Sequence, residues 1–293
     1  MKVRDIAKQS IFSLEVFPPK KSYSLESISG IFGRLAALEP GFISVTYGAG
    51  GSNIQQNKTV ELCRILKQDY HIEPVAHLTC FNSRKDEVLT MLELMKAQGI
   101  ENILALRGDR SPDITPPGDF RYACELIDFI RAHTGEDEFD ICAACYPEGH
   151  PECDSLKEDV LNLKRKVEAG VSLLISQLFF DNEDFYRFRE LCDVAGIHVP
   201  IHAGIMPVTN KSQIERMVST CGASLPKKLS RMMARYENNP QALMDAGISY
   251  ATEQIVDLLA SGADGIHLYA MNRPKMAEKI KGNIASLIEA HQE

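Results

Sequence analysis

The sequence lacks the features of a membrane protein or a nucleic-acid-binding protein. Its longest apolar stretch, around 171–180, is too short to span a bilayer, and residues 1–10 carry charges without an apolar signal-peptide segment. Long runs of charges of one sign are also absent, and the net charge is -8. These absences argue against a nucleic acid or an anionic membrane as the main partner. We expect a soluble, cytoplasmic protein that acts on a small molecule.

Signals for disulfide bonds are missing as well. The eight cysteines are scattered along a chain without an export signal, which favours reduced thiols. Cys142 and Cys145 form a C-x-x-C pair, but their segment ICAACY is typical of a strand, on which residues three apart point to opposite faces. A zinc site built from this pair with His150 and Cys153 is a minor alternative, because structural zinc pairs usually come from tight turns.

The sequence does contain an eightfold alternation of strand and helix patterns. The chain has 293 residues, of which 44% are hydrophobic and 25% charged, enough to bury a large core. Apolar or β-branched runs predict strands over 12–16, 42–47, 74–78, 102–106, 141–145, 173–179, 199–205 and 265–269. Helix-period segments cover 25–38, 58–67, 85–97, 122–132, 156–169, 183–194, 242–259 and 274–290. We therefore expect the α/β class, as one (β/α)8 TIM barrel domain over 1–293, rather than a doubly wound sheet.

One connection is longer than a minimal crossover. Residues 212–236, after the seventh strand, have room for two extra short helices, and Pro226 is suited to start the second. These extra helices are candidates for a lid.

Glu15 is a carboxylate in an apolar strand. Pro18 and Pro19 should end strand pairing near Phe17, because proline has no N–H donor and biases its predecessor toward extended geometry. Period-2 alternation places Glu15 on the face shared by Ser13 and Phe17. Apolar surroundings raise a carboxyl pKa, which suits a proton donor near neutral pH. A salt-bridged glutamate at a strand end is the alternative interpretation.

Polar residues follow nearly every predicted strand, which matters because barrel active sites lie at the carboxyl ends of the strands. The candidates at these ends are Glu15, Thr46, His77, Arg107, Gly108, Asp109, Tyr146, His150, Gln177, Tyr269 and Arg273. Taken singly, His77 and His150 fit core histidines bonded to backbone carbonyls better than site residues. Arg107 and Asp109 are suited to holding a polar cofactor. The glycine-rich segment 48–51 has neither P-loop nor dinucleotide-fold spacing, so it is weak evidence for a phosphate site.

The helix predicted over 156–169 carries two stripes. The apolar stripe should face the core, and Asp159, Asn162 and Lys166 form a second stripe about a quarter turn away that could reach the barrel rim. A solvated face with helical ion pairs is the simpler interpretation of the second stripe.

Together these segments resemble the methylenetetrahydrofolate reductase family from Phe12 to about Arg273. The resemblance is carried by nine motifs in order: LEVFPP, SVTYGAGG, AHLTC, LALRGD, AACYPEGHPE, DVLNLKRKVEAG, SQLFFD, GIMPVTN and HLYAMNR. It implies a flavoprotein barrel that reduces 5,10-methylenetetrahydrofolate to 5-methyltetrahydrofolate, with FAD as cofactor and NADH or NADPH as electron donor.

The resemblance also implies roles for individual residues. Glu15 matches the general acid that promotes opening of the folate ring to an iminium, and Asp109 matches an aspartate near the flavin and the pterin. Gln177 matches a folate contact, and Tyr269 and Arg273 resemble substrate or cofactor contacts. The positions that match FAD-holding residues, or that lie among them, are Thr46, His77, Arg107, Gly108, Asp109, Tyr146, His150, Asp159, Asn162 and Lys166.

Two departures and several alternatives accompany the resemblance. Lys211 stands where relatives often have an aromatic residue, so no ring-stacking residue is nominated there, and with the sequence ending at Glu293 a carboxyl-terminal regulatory domain is not expected. We expect no metal, and a homo-oligomer.

One alternative is another FAD-dependent barrel oxidoreductase, such as a proline-dehydrogenase-like enzyme. Another is the same barrel as a flavin subunit that receives electrons from an iron–sulfur partner, and a third is a zinc-dependent methyl-transfer barrel.

Overall fold

Eight parallel strands form the centre of the molecule and close into a barrel. The structure is a computed structural model that describes residues 1–18, 25–47, 53–109, 116, 118–135 and 137–292. Each strand pairs with the next in sequence, and the last pairs with the first. The strands are β1 (Phe12–Val16), β2 (Phe42–Val45), β3 (Glu73–Thr79), β4 (Asn102–Leu106), β5 (Asp140–Cys145), β6 (Val171–Ser176), β7 (Ile201–Ile205) and β8 (Gly265–Tyr269).

Helices surround this barrel and confirm the predicted (β/α)8 TIM barrel fold. They are α1 (Val3–Ile6), α2 (Leu25–Ala36), α3 (Asn53–Asp69), α4 (Lys85–Ala97), α5 (Ala123–His133), α6 (Leu156–Glu168), α7 (Asn182–Ala195), α8 (Lys211–Cys221), α9 (Lys227–Tyr236), α10 (Pro240–Ala260) and α11 (Pro274–Gln292). The main hydrophobic core lies between the outer faces of the strands and these helices.

Predicted boundaries differ from the observed ones at several helix and strand ends, and α3 begins at Asn53 rather than at residue 58. The sixth strand was expected to reach residue 179, but β6 ends at Ser176. The Gln177 side-chain oxygen accepts a hydrogen bond from the Leu178 N–H at 2.8 Å, so this N–H is unavailable for strand pairing. The second strand was expected to reach residue 47 but ends at Val45.

The short helix α1, which the periodicity did not predict, closes the amino-terminal end of the barrel. Its buried side chains Val3 and Ile6 pack against inward-facing residues of β2 to β6. Its first N–H groups have no partner within the helix, and barrel side chains supply acceptors for two of them. Asn102 Oδ1 accepts from the Val3 N–H at 2.8 Å, and Asp140 Oδ2 accepts from the Arg4 N–H at 2.7 Å.

Shortening Ile6 to valine tests whether α1 packs tightly against the amino-terminal end of the barrel. We expect Ile6→Val to lower the free energy of unfolding by about 0.5–1.5 kcal/mol, because a buried methylene leaves a cavity in a packed layer. The matched control is Val194→Ala on α7, where the side chain is 87% exposed and the change should stay within about 0.5 kcal/mol. Urea unfolding measures both variants. Equal changes in the free energy of unfolding would contradict tight packing of α1 against the barrel.

The two extra helices after the seventh strand are α8 and α9, as predicted, and Pro226 occupies the N-cap of α9. They add a second hydrophobic cluster at the carboxyl end of the barrel. This cluster joins Ile214 of α8 and Leu229 of α9 to Met206 and Tyr269 of the barrel end. The extra helices are therefore packed onto the end of the barrel where the site residues were predicted.

The C-x-x-C pair behaves as the strand pattern predicts. Cys142 packs among the residues inside the barrel, and Cys145 belongs to the outer core. All eight cysteines are free thiols. Across the residues that the structure describes, no cluster of His, Cys, Asp and Glu is placed to hold a metal ion.

Among the described helices, none has both the length and the apolar composition to cross a bilayer.

Candidate active site

Glu15 projects into the carboxyl-terminal half of the barrel. The strand alternation is as predicted, because Phe12, Leu14 and Val16 belong to the outer core while Ser13 and Glu15 contact inward-facing residues of other strands. The Glu15 side chain is 17% exposed. An acid at this end of a barrel strand lies where barrel enzymes place their catalytic groups.

The neighbours of Glu15 are neutral or weakly polar. Ser44 Oγ of β2 lies 3.4 Å from Glu15 Oε2, and His77 Nε2 of β3 lies 3.4 Å from the same oxygen. Burial raises the pKa of the Glu15 carboxyl above its usual value, whereas His77 acts in the opposite direction, as would a hydrogen bond donated by the Ser44 hydroxyl. The carboxyl therefore holds its proton to a higher pH than an exposed glutamate, as a general acid requires.

A polar layer inside the barrel continues from Glu15 toward β7. His267 Nε2 lies 3.2 Å from Ser44 Oγ, and His267 Nδ1 lies 2.8 Å from Ser13 Oγ. Ser13 Oγ also lies 3.3 Å from His202 Nδ1. Both imidazole rings stack on Phe42, with ring centroids 5.7 and 5.8 Å away. The layer is thus a hydrogen-bonded series that starts at Glu15 and ends at His202.

The three histidines of this region are neutral at physiological pH. Burial lowers the pKa of His77 to about 4 and the pKa values of His202 and His267 to about 3. In the unfolded chain each would titrate near 6.5, so the unfolded state binds up to three more protons below that pH. Their contribution to stability is complete above pH 6.5 and is lost as the pH falls toward the folded-state values.

A histidine variant tests this linkage. We expect His202→Gln to reduce the slope of unfolding free energy against pH, between pH 6 and pH 5, by about 1.4 kcal/mol per pH unit, because one titrating group is removed. Urea unfolding at a series of pH values measures the slope. A variant with the wild-type slope would show that His202 is not buried in its neutral form.

A second group of predicted residues gathers around the ends of β4 and β5. The Arg107 guanidinium forms a two-point ion pair with Glu152, with N–O distances of 2.8 and 2.9 Å. Asp159 of α6 accepts a hydrogen bond from the His150 N–H at 3.0 Å, and the rings of Tyr146 and His150 meet edge to face at 4.8 Å. The loop after β5 is thereby fixed between the end of β4 and helix α6.

The polar stripe of α6 divides into a buried and an exposed part. Lys166 donates to the Ala144 carbonyl at 2.6 Å, and burial lowers the pKa of its ammonium group. Burial also raises the pKa of Asp159, with Lys166 acting against that rise. Asn162 is exposed and donates weakly to Cys153 Sγ at 3.8 Å. Asp159 and Lys166 therefore reach the barrel end, whereas Asn162 lies at its edge.

The remaining predicted residues surround the mouth without forming one contact network. The Tyr269 hydroxyl donates to the Ser176 carbonyl at 2.7 Å, and Gln177 follows directly after β6. Asp109 is exposed at the end of β4, and its carbonyl accepts from Asn82 Nδ2 at 3.2 Å. Thr46 follows β2 and its N–H donates to the Val16 carbonyl at 2.9 Å, while Arg273 immediately precedes α11.

Gly108 sits in this rim with a positive φ of 85°, a conformation that favours glycine. A Cβ there would lie 3.0 Å from the Thr79 side chain. The glycine allows the chain to turn after Arg107 without a side chain between β3 and β4.

Lys211 is the first residue of α8 and pairs with Glu237 beside a surface hollow of about 360 Å³. The Lys211 ammonium group is therefore engaged by a carboxylate. The glycine-rich segment 48–51 lies outside the described residues.

Sequence reasoning missed several residues of the site. Ser44, His202 and His267 occupy inward-facing positions and were not singled out, although the period-2 rule applied from Tyr269 would have found His267. Ser13 was placed on the Glu15 face by that rule but was given no role. Glu152, the partner of Arg107, belongs to the motif AACYPEGHPE but was not singled out.

The parallel barrel has a largely buried acid toward its carboxyl-terminal mouth and neutral imidazoles in its interior, which defines a protein of the (β/α)8 class with a candidate site at that mouth. The family model for methylenetetrahydrofolate reductase matches residues 2–285. The chain belongs to the methylenetetrahydrofolate reductase family.

Relatives of two lengths support the assignment. The 5,10-methylenetetrahydrofolate reductase of Salmonella typhimurium is 35% identical over 276 residues, which cover 94% of this chain and 91% of the relative. Methylenetetrahydrofolate reductase (NADH) 1 of Arabidopsis thaliana is 34% identical over 304 residues, which cover 99% of this chain and 51% of the relative. The chain thus spans about half the length of the plant relative and most of the bacterial one.

A solved structure is similar in fold. An uncharacterized protein from Clostridium thermocellum, which binds two copies of 5-methyl-5,6,7,8-tetrahydrofolic acid, superimposes with a TM-score of 0.66 and 14% identity over 99% of each chain. At this identity the likeness shows the fold alone.

Proposed function

We propose that the chain reduces 5,10-methylenetetrahydrofolate to 5-methyltetrahydrofolate, with FAD as the hydride carrier and NADH or NADPH as the electron donor. The observation that carries the proposal is Glu15, a buried acid at the barrel mouth in a chain of this family. The bacterial and plant relatives are named for this activity, and the plant relative is named for NADH. The structural relative that binds a methylated tetrahydrofolate supports the same substrate class.

The residues at the ends of β4 and β5 are chemically suited to FAD. Arg107 is a cation for the diphosphate, Asp159 is an acceptor for ribityl or ribose hydroxyls, and the buried Lys166 is a donor next to them. The further residues that we propose to hold FAD are Thr46, His77, Gly108, Asp109, Tyr146, His150 and Asn162. When bound, FAD would supply the hydride. An anionic group at this place would compete with Glu152 for the Arg107 guanidinium.

Glu15 is proposed to hold a proton at its carboxyl group and to deliver it to a folate nitrogen. Protonation of the nitrogen breaks its bond to the bridging carbon and opens the five-membered ring to an electrophilic iminium. The raised pKa keeps the acid protonated to a higher pH than that of an exposed glutamate. The negative charge of Asp109, at the rim, is proposed to stabilise the cationic form of the substrate.

Gln177, Tyr269 and Arg273 are proposed to orient the substrate. The Tyr269 hydroxyl is engaged by the Ser176 carbonyl, so this residue would present its ring rather than a free hydroxyl to a ligand. Gln177 directly follows β6, and Arg273 lies in the short connection between β8 and α11.

An absorbance spectrum of the purified protein with FAD added tests the proposal. We expect a flavin spectrum that differs from that of free FAD, bleaching on anaerobic addition of NADH or NADPH, and recovery on addition of methylenetetrahydrofolate. Bleaching by dithionite but not by either nicotinamide nucleotide, followed by recovery with the folate, would favour the iron–sulfur partner as electron source. No recovery with the folate would contradict the proposed substrate and favour another flavin-dependent barrel oxidoreductase.

A further inference from the structure

The polar layer behind Glu15 poses a question of hydrogen-bond direction. Ser44 has one hydroxyl proton and two acceptors within reach. Glu15 Oε2 lies 3.4 Å away and His267 Nε2 lies 3.2 Å away. The proton cannot serve both at once. Its direction decides whether Ser44 stabilises the ionised form of Glu15 or the neutral form.

Ser13 settles this direction. Its Oγ lies near three groups, namely the Ile266 carbonyl at 3.2 Å, His267 Nδ1 at 2.8 Å and His202 Nδ1 at 3.3 Å. A serine hydroxyl has one donor and two acceptor sites, and a backbone carbonyl only accepts. All three contacts are satisfied together only if Ser13 donates to Ile266 and both neutral imidazoles donate to Ser13 from Nδ1.

This assignment fixes the tautomer of His267. With the proton on Nδ1, Nε2 is an acceptor and takes the hydroxyl proton of Ser44. It also fits His202, whose Nε2 has no hydrogen-bond partner within the described structure and would then be an unprotonated nitrogen. An unpaired buried acceptor is tolerated better than an unpaired buried N–H donor.

We propose that Ser13 and His267 are positioning residues that direct the Ser44 hydroxyl away from the Glu15 carboxylate and so keep Glu15 in its protonated, acid form. The Ser44 oxygen then offers a lone pair to the Glu15 O–H. This inference rests on the acid role proposed above for Glu15, and it names the residues that set that role.

The other groups that face Glu15 agree with this direction. They are His77 from β3 and Tyr269 from β8, in addition to Ser44 from β2 and His267 itself. His77 is neutral and Tyr269 is uncharged near neutral pH, because burial lowers the pKa of His77 to about 4 and raises that of Tyr269. No cation among the described residues pairs with the Glu15 carboxylate, and His77 Nε2 makes no hydrogen bond to it or to any other described group. The Ser44 hydroxyl is therefore the described donor whose direction matters.

Two serine-to-alanine variants in the same layer give different expectations. Ser13→Ala releases His267 to carry its proton on Nε2, which lets Ser44 donate to the carboxylate, so the pKa of Glu15 should fall by about one pH unit. Ser44→Ala removes the hydroxyl that makes this contact among the described residues, so the pKa of Glu15 should not fall. The double variant should also lack the fall, because the effect of Ser13→Ala passes through Ser44.

The experiment is a carbon-13 NMR titration of labelled glutamate carboxyls in the FAD-loaded protein, with Glu15→Gln to assign the signal. Nitrogen-15 NMR of the imidazoles reports the His267 tautomer, expected as Nδ1–H in the wild type. Three results would each overturn the proposal. They are an Nε2–H tautomer of His267 in the wild type, an unchanged Glu15 pKa in Ser13→Ala, and a Glu15 pKa in the double variant that is as low as in Ser13→Ala. None of these readouts depends on turnover, so lack of folate reduction would count against the proposed function while leaving this inference to be decided by the titration.

Discussion

Replacing Glu15 by glutamine will leave reduction of the bound flavin by the nicotinamide nucleotide nearly unchanged and will slow folate reduction by about 10²–10⁴-fold. Glutamine keeps the size and polarity of the side chain but has no acidic proton to deliver. The proton is needed only for opening the folate ring, whereas hydride transfer from the nicotinamide does not use it. Anaerobic stopped-flow measurement of the two half-reactions separates the effects.

The matched control is Glu253→Gln on α10, where the carboxylate is exposed and pairs with Lys228. Both half-reactions should keep wild-type rates in this control. A comparable loss of both half-reactions in Glu15→Gln would mean that Glu15 supports the site as a whole and is not its acid.

Replacing Gly204 by alanine will destabilise the barrel by about 3 kcal/mol or more. A Cβ at this position would lie 2.1 Å from the Ser176 carbonyl oxygen and 2.7 Å from the Tyr269 hydroxyl oxygen. The carbonyl belongs to the backbone of β6 and cannot move aside as a side chain would. The Gly204 N–H also donates to Ser176 Oγ at 2.8 Å, so the β6–β7 pairing and the Tyr269 contact would be disturbed together.

Gly282 on α11 provides the control for this substitution. A Cβ there has no neighbour within 4 Å, and alanine is the better helix former, so Gly282→Ala should stabilise the protein by roughly 0.5–1 kcal/mol. Urea unfolding compares the two variants. If Gly204→Ala were as stable as the wild type, the backbones of β6 and β7 could not be this close at Gly204.

The fold could be predicted because the signals for its elements are local. The limits predicted from alternating or apolar runs match the observed limits of β1, β4 and β8, and the limits predicted from the helical period match those of α4. Helix α1 was not predicted because its four residues are too few to show a period. Its position also depends on hydrogen-bond acceptors from Asn102 and Asp140, which lie about 100 residues or more away in sequence.

The candidate site was predictable only where a residue type stood out on its own strand end. Glu15 could be found because a carboxylate is unusual in an apolar strand. Ser13, Ser44 and His267 are ordinary residues singly, and their importance comes from distances across strands that barrel closure sets. Likewise, the pairing of Arg107 with Glu152 depends on the path of the loop after β5.

The measurement that tests the account most directly is the pH dependence of folate reduction by the prereduced protein, in the wild type and in Glu15→Gln. Since the protonated acid is the active form, the wild-type rate constant should be high at low pH and fall as the pH rises through one pKa above the usual range of glutamate. The variant should be slow throughout and lack this fall. A wild-type rate that does not fall with pH, or the same fall in both proteins, would contradict Glu15 as the proton donor of the site.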